Sequence, residues 1–171
     1  DQIREWWTKW PNSNIGLRTG DAFDVLDVDG ANGVVSLSLT ILEADGTTKY
    51  RHPGPVQSTG KGLHLLFQPT GARNFAGRHP GLDFRGQAGY IVASPSINPN
   101  GHQYRWVRDE PLPEPPPWLN EMLVKPHTSP PSGIDPSLLK PIVVIFNSLF
   151  SNAKDVQPLV PIGSRFITNC L

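Results

Sequence analysis

Apolar and polar positions alternate with a period of two along several short runs of this chain, and such runs read as strands. The clearest passes through Phe23-Asp24-Val25-Leu26 and ends at Asp27-Val28-Asp29, just before Gly30. On an extended strand successive side chains leave opposite faces, so Leu26 and Val28 point one way and Asp27 and Asp29 the other. Leu63-His64-Leu65-Leu66-Phe67 reads as a buried strand, with Leu63, Leu65 and Phe67 in the core and His64 on the other face. Residues 82–85, 90–93 and 103–107 read as three further strands, separated by turn chemistry at Gly86, Pro95 and Asn98-Pro99-Asn100-Gly101. Residues 15–20 give a short strand and turn. Residues 3–10 are the last turns of a helix ended by Pro11, with Trp6, Trp7 and Trp10 expected to pack. Residues 33–45, rich in Leu and Val, suit a helix, and residues 53–62 a loop.

A chain of 171 residues fits one domain with a modest core, and its 19 prolines and 16 glycines argue against a compact helical bundle. The expected fold class is α+β, mainly antiparallel, followed by an irregular tail. At Pro111-Leu112-Pro113-Glu114-Pro115-Pro116-Pro117 the chain turns to polyproline character, and prolines recur at 126, 130, 131, 136 and 141. A boundary near Leu119 follows, dividing residues 1–119 from a Pro-rich tail, 120–171, whose apolar run from 138 to 171 lacks clear caps. Cys170 is the only cysteine, so no internal disulfide forms. The longest apolar run, Ile142-Val143-Val144-Ile145-Phe146, is too short for a bilayer, and no signal-peptide pattern occurs, so a soluble, cytoplasmic protein without membrane partners is expected.

Charge sharpens the picture. The net charge is zero, yet residues 58–108 hold six Lys or Arg (Lys61, Arg73, Arg78, Arg85, Arg105, Arg108) against one acid, Asp83. Such a stretch suits phosphate-bearing partners or, equally, a solvated surface of mixed loops. Asp27, Asp29 and Asp83 on neighbouring strands offer oxygen ligands for two Mg²⁺ or Mn²⁺ ions, the arrangement that in-line phosphoryl displacement uses. The alternative is that Asp27 and Asp29 merely end a strand. Lys61 and the backbone N–H groups of the Ser58-Thr59-Gly60-Lys61-Gly62 turn suit a triphosphate, with His64 donating to a phosphate oxygen. No Gly-x-x-x-x-Gly-Lys-Ser/Thr occurs, which disfavours a P-loop ATPase. Asp83 and Arg85 share a face, either as an acid for metal beside a base for phosphate or as a simple ion pair. Ser94, Ser96 and Asn98 are candidate cleft residues or ordinary turn formers.

The order of Trp7 to Pro11, Asn14-Ile15-Gly16-Leu17-Arg18-Thr19-Gly20, Asp27-Val28-Asp29, residues 58–67, residues 81–93 and Pro95-Ser96 resembles the bifunctional DNA primase/polymerase (prim-pol) domain of the archaeo-eukaryotic primase superfamily. The resemblance runs from about Ile3 to Leu119. It implies an RRM-like catalytic sheet with flanking helices and a smaller nucleotide-side subdomain. The implied activity is template-directed DNA or primer synthesis from nucleoside triphosphates, in replication of a plasmid, phage or integrated element. It implies metal on Asp27, Asp29 and Asp83 and a nucleotide contact at His64. It also implies nucleotide contacts at Ser58, Lys61 and Arg85. Implied partners are a DNA template and primer, nucleoside triphosphates and a helicase domain in the parent chain.

The chain departs from that pattern in three places. The wider superfamily carries Ser two residues before the histidine, where this chain has Gly62, so a hydroxyl is expected from Ser58 or Thr59. The family's upstream strand and helix are missing, so the chain is expected to be truncated at its start. The tail resembles neither a linker nor a helicase. The rival readings are a metal-dependent nuclease and an inactive nucleic-acid-binding fragment; a His-hydrophobic-His nuclease is disfavoured because no His-x-His occurs.

Overall fold

The computed structural model describes residues 1–46 and 50–124. The expectations for the tail from residue 125 onward lie outside the described residues. In chain order the elements are α1 (Gln2–Lys9), β1 (Ile15–Arg18), β2 (Asp24–Asp29), α2 (Gly30–Asp45), β3 (Val56–Ser58), β4 (Gly62–Phe67), β5 (Phe75–His79), β6 (Leu82–Arg85), β7 (Tyr90–Ala93), β8 (Arg105–Arg108) and α3 (Pro117–Val124). Six strands form one sheet in the order β5-β6-β2-β4-β3-β8, and β1 and β7 form a separate ribbon. Every pairing between these strands is antiparallel, so the fold is α+β as expected.

The period-two pattern sorts the large sheet into two faces. Leu26 and Val28 of β2, Leu63, Leu65 and Phe67 of β4, and Leu82 and Phe84 of β6 are buried together with Val34 and Ile41 of α2 and Trp118, Leu119 and Met122 of α3. Helix α2 reaches this layer because Val34, Leu37, Ile41 and Ala44 recur at helical spacing. It ends at Gly46, whose left-handed backbone lets its N–H close on the Leu42 carbonyl at 3.0 Å. Its first turn lies directly on the β5–β6 turn. A Cβ at Gly33 would collide with the Gly81 carbonyl, and the Ser36 hydroxyl donates to the Pro80 carbonyl at 2.7 Å. On the opposite face Val25 and Leu66 pack with Phe23 and with Ile91 of β7, which seats the ribbon over the sheet.

Several expectations need correction. Trp6, Trp7 and Trp10 do not pack: they are 50%, 40% and 49% exposed, and α1 buries no residue. Their spacing describes an apolar stripe but carries no information about what covers it. Val56–Ser58, expected inside a loop, is a strand between β4 and β8, too short to show alternation. Strand β5 was not anticipated, because its pairing with β6 shifts register between Phe75 and His79 and Gly77 takes a positive φ of 71°. The last strand begins at Arg105 rather than 103. Helix α3 buries Trp118, Leu119 and Met122. Among the described residues no helix is long and apolar enough to cross a membrane.

Trp118, 1% exposed and edge-on to Tyr50 at 5.1 Å, closes the helix-side core. Trp118→Ala is expected to cost about 3–5 kcal/mol in urea unfolding, whereas Trp7→Ala changes stability by about 0.5 kcal/mol or less.

Candidate active site

Strand β2 is paired on both edges, and the register places Asp27 opposite Asp83 on one side and opposite His64 on the other. The row continues through Gln57 of β3 to Trp106 of β8. Polar groups of four adjacent strands are thereby aligned across one face by register alone, the face turned toward the β1–β7 ribbon. An open cleft of about 320 Å³ lies there, lined by Asp27, His64, Asn74, Arg85, Tyr104 and the 88–92 segment.

Arg85 lies on the same face as Asp83. Its Nη2 donates to Asp83 Oδ2 at 2.8 Å and lies 3.9 Å from Asp27 Oδ2. The other Asp83 oxygen accepts from the Gly77 N–H at 3.0 Å. Asp27 Oδ1 faces His64 Nε2 at 3.6 Å, beyond hydrogen-bond length, and is buried without a partner. Burial and then the nearby Asp29 push the Asp27 carboxyl up to about 7, with Arg85 opposing and Asp83 adding to the rise. Burial pulls His64 down to about 4, and the Arg85 charge acts in the same direction, so the imidazole is neutral at pH 7.

Asp27, Asp83, His64 and Arg85 are therefore brought together. Asp29 ends the strand two positions away, at the N-terminal end of α2, where its side chain caps no backbone group. Lys61, at the β3–β4 turn, is close enough for its charge to favour ionised Asp27. Ser58 does not join them. It pairs across the strands with Leu63, a residue of the helix-side core, and its hydroxyl donates to the Arg105 carbonyl at 3.3 Å.

The turn itself differs from the phosphate cradle that its composition suggests. Thr59 Oγ1 accepts from the N–H groups of Lys61 at 3.2 Å and Gly62 at 2.8 Å, and the Thr59 N–H donates to the Gly62 carbonyl at 2.9 Å. Those three donors are spent inside the turn. Gly62 is required by packing: a Cβ there would overlap the Val28 carbonyl of the paired strand, so no serine fits that position. The other turn candidates also serve the scaffold. The Ser96 hydroxyl accepts from the Ile15 N–H at 2.7 Å, and Asn98 donates to the Tyr104 hydroxyl at 3.2 Å.

Gln57 was missed from sequence. It is fully buried, with Nε2 2.8 Å from His64 Nδ1 and 2.9 Å from the Val92 carbonyl, while its Oε1 accepts from the Ser94 N–H at 2.7 Å. It ties β3 to the ribbon and to His64 at once. Only the recognition of β3 as a strand, which puts Gln57 on the His64 face, would have found it. Tyr104, Asn74 and the 88–92 segment were also unforeseen, since they reach the cleft through loops and the ribbon.

Among the described residues no three His, Cys, Asp or Glu converge as a ready metal cage. A divalent ion such as Mg²⁺ is commonly held by one or two carboxylates with the remaining positions left to water and substrate phosphate. Asp27, whose buried Oδ1 has no hydrogen-bond partner and which lies opposite Asp83 across the paired strands, is the group that would hold such an ion.

The family model for the bifunctional DNA primase/polymerase N-terminal domain (Prim-Pol) matches residues 1–118 of this chain. No curated protein and no solved structure matches.

The raised Asp27 group has a definite stability signature. The native state holds a proton on this group that the unfolded state loses between about pH 4 and pH 7, so its contribution to stability declines as pH rises through that range. With chelator present at pH 8, Asp27→Asn is therefore expected to raise stability by about 1–3 kcal/mol. At pH 4 the gain is expected to vanish, as read from paired denaturant titrations.

Proposed function

The chain belongs to the family of bifunctional DNA primase/polymerase N-terminal domains, and we propose that its cleft carries out template-directed nucleotidyl transfer from nucleoside triphosphates. The observation that carries this reading is the alignment of Asp83, Asp27 and His64 on one sheet face with Arg85 beside them. Family membership supplies the reaction class, and the residues at the cleft supply a consistent division of labour.

Asp27 and Asp83, with Asp29 at the strand end, are the groups that would hold Mg²⁺ or Mn²⁺. When bound, such ions would supply Lewis acidity for the attacking hydroxyl and the leaving pyrophosphate. Lys61 and Arg85 offer positive charge to the triphosphate. Neutral His64 offers an N–H to an anionic oxygen without adding a charge that would compete with the cation. Replication of a mobile element and cooperation with a helicase domain elsewhere in a longer protein belong to the same proposal and rest on the family alone.

Two features support transfer to a nucleic-acid hydroxyl over hydrolysis by water. One is the pair of cations, Lys61 and Arg85, that flank the acids, and the other is the family itself. Extension of a labelled primer on a DNA template with Mn²⁺ or Mg²⁺ is expected from the full chain. The Asp27→Ala, Asp29→Ala double variant is expected to lose about 10²-fold or more of that activity. Degradation of the template in place of extension would assign the same residues to a nuclease. A folded chain that binds nucleotide without extending would mark an inactive fragment.

A further inference from the structure

The side chain of Gln57 has no freedom in how it is oriented. The Ser94 N–H can only donate, so the amide oxygen must face it at 2.7 Å; the Val92 carbonyl can only accept, so the NH₂ must face it at 2.9 Å. Rotating the amide by half a turn would set oxygen against oxygen and N–H against N–H, both buried and both unsatisfied. The second hydrogen of that NH₂ points at His64 Nδ1, 2.8 Å away.

We infer that Gln57 is a positioning residue that holds His64 as the Nε2–H tautomer, so that His64 enters the cleft as a neutral hydrogen-bond donor to a phosphate oxygen and not as a metal ligand or a base. This inference rests on the functional reading above for the identity of the acceptor, but not for the tautomer. Nδ1, accepting from Gln57, carries the lone pair and is sealed from the cleft; Nε2, facing Asp27 Oδ1 at 3.6 Å, carries the proton. A metal ligand needs a lone pair on the cleft side, and a general base needs one too. Neither is available at Nε2 while Gln57 stands as it does.

The arrangement also explains why a fully buried polar side chain sits in a three-residue strand. Both N–H groups and the amide oxygen have partners, and through Val92 and Ser94 the side chain ties the orientation of His64 to the seating of β7 and the residue after it. The ribbon and the acid-bearing sheet thus reach the cleft in a fixed relation.

Long-range ¹H–¹⁵N correlation spectra distinguish the two imidazole tautomers directly. At pH 7 in the full chain, with His64 assigned by the loss of its signals in His64→Gln, the Nε2–H pattern is expected. In Gln57→Glu the carboxylate can only accept, so the proton is expected to move to Nδ1, and affinity for a nucleoside triphosphate to fall about tenfold or more. Gln57→Met removes the N–H donor that Nδ1 accepts from and is expected to give a mixture of tautomers. An Nδ1–H pattern in the unsubstituted chain would overturn the inference even if both variants failed to fold. So would a Gln57→Glu spectrum with the tautomer unchanged. The expected tautomers in a chain that binds no triphosphate would uphold the role of Gln57 and count against the functional reading instead.

Discussion

The cleft depends on burying one carboxylate, Asp27, at the centre of a sheet whose other face is fully packed. Strand β2 is fixed between β4 and β6 by backbone pairing and by Leu26 and Val28, both fully buried on the helix side. With the register so fixed, Asp27 cannot turn away from Asp83 or from His64, because a one-residue slip would carry Leu26 and Val28 out of the core. The unfavourable placement of a poorly hydrated acid beside two others is therefore sustained by apolar packing a few ångströms below it. Arg85 relieves part of that cost, and Asp27 Oδ1 is left without a partner.

From this constraint the electrostatics of the cleft follow. Burial acts oppositely on an acid and a base, and here it drives Asp27 up and His64 down, so near neutral pH the cleft face carries less charge than its residue list suggests. A cation held by Asp27 would favour its ionised form and so would displace a proton. The scaffold around the row is rigid for related reasons: Gly62 lets β4 approach β2, Thr59 closes the preceding turn, and Gln57 ties the ribbon to the sheet.

Much of this was legible in the sequence. Period-two alternation in Asp24–Asp29, Gly62–Phe67 and Leu82–Arg85 assigns Asp27, His64, Asp83 and Arg85 to one face, and the order of motifs points to the family that residues 1–118 match. What stayed hidden depends on nonlocal pairing. Val56-Gln57-Ser58 has no pattern of its own and becomes a strand only between β4 and β8, so Gln57 could not be seen as a partner of His64. Ser58 looked like a hydroxyl for the nucleotide, but its pairing with Leu63 turns it to the helix side. The glycines near Lys61 suggested free backbone donors, yet a single threonine oxygen gathers two of them. The tryptophans of α1 show the converse limit: strongly apolar residues predict a stripe, and the described structure leaves that stripe exposed.

The most direct test of the central claim is calorimetric titration of a nucleoside triphosphate into the full chain, with and without Mn²⁺, alongside Asp27→Asn. Binding that requires the divalent ion, releases protons near pH 7 and is lost in Asp27→Asn is the predicted result. Triphosphate binding that is indifferent both to Mn²⁺ and to the loss of the Asp27 charge would contradict the account.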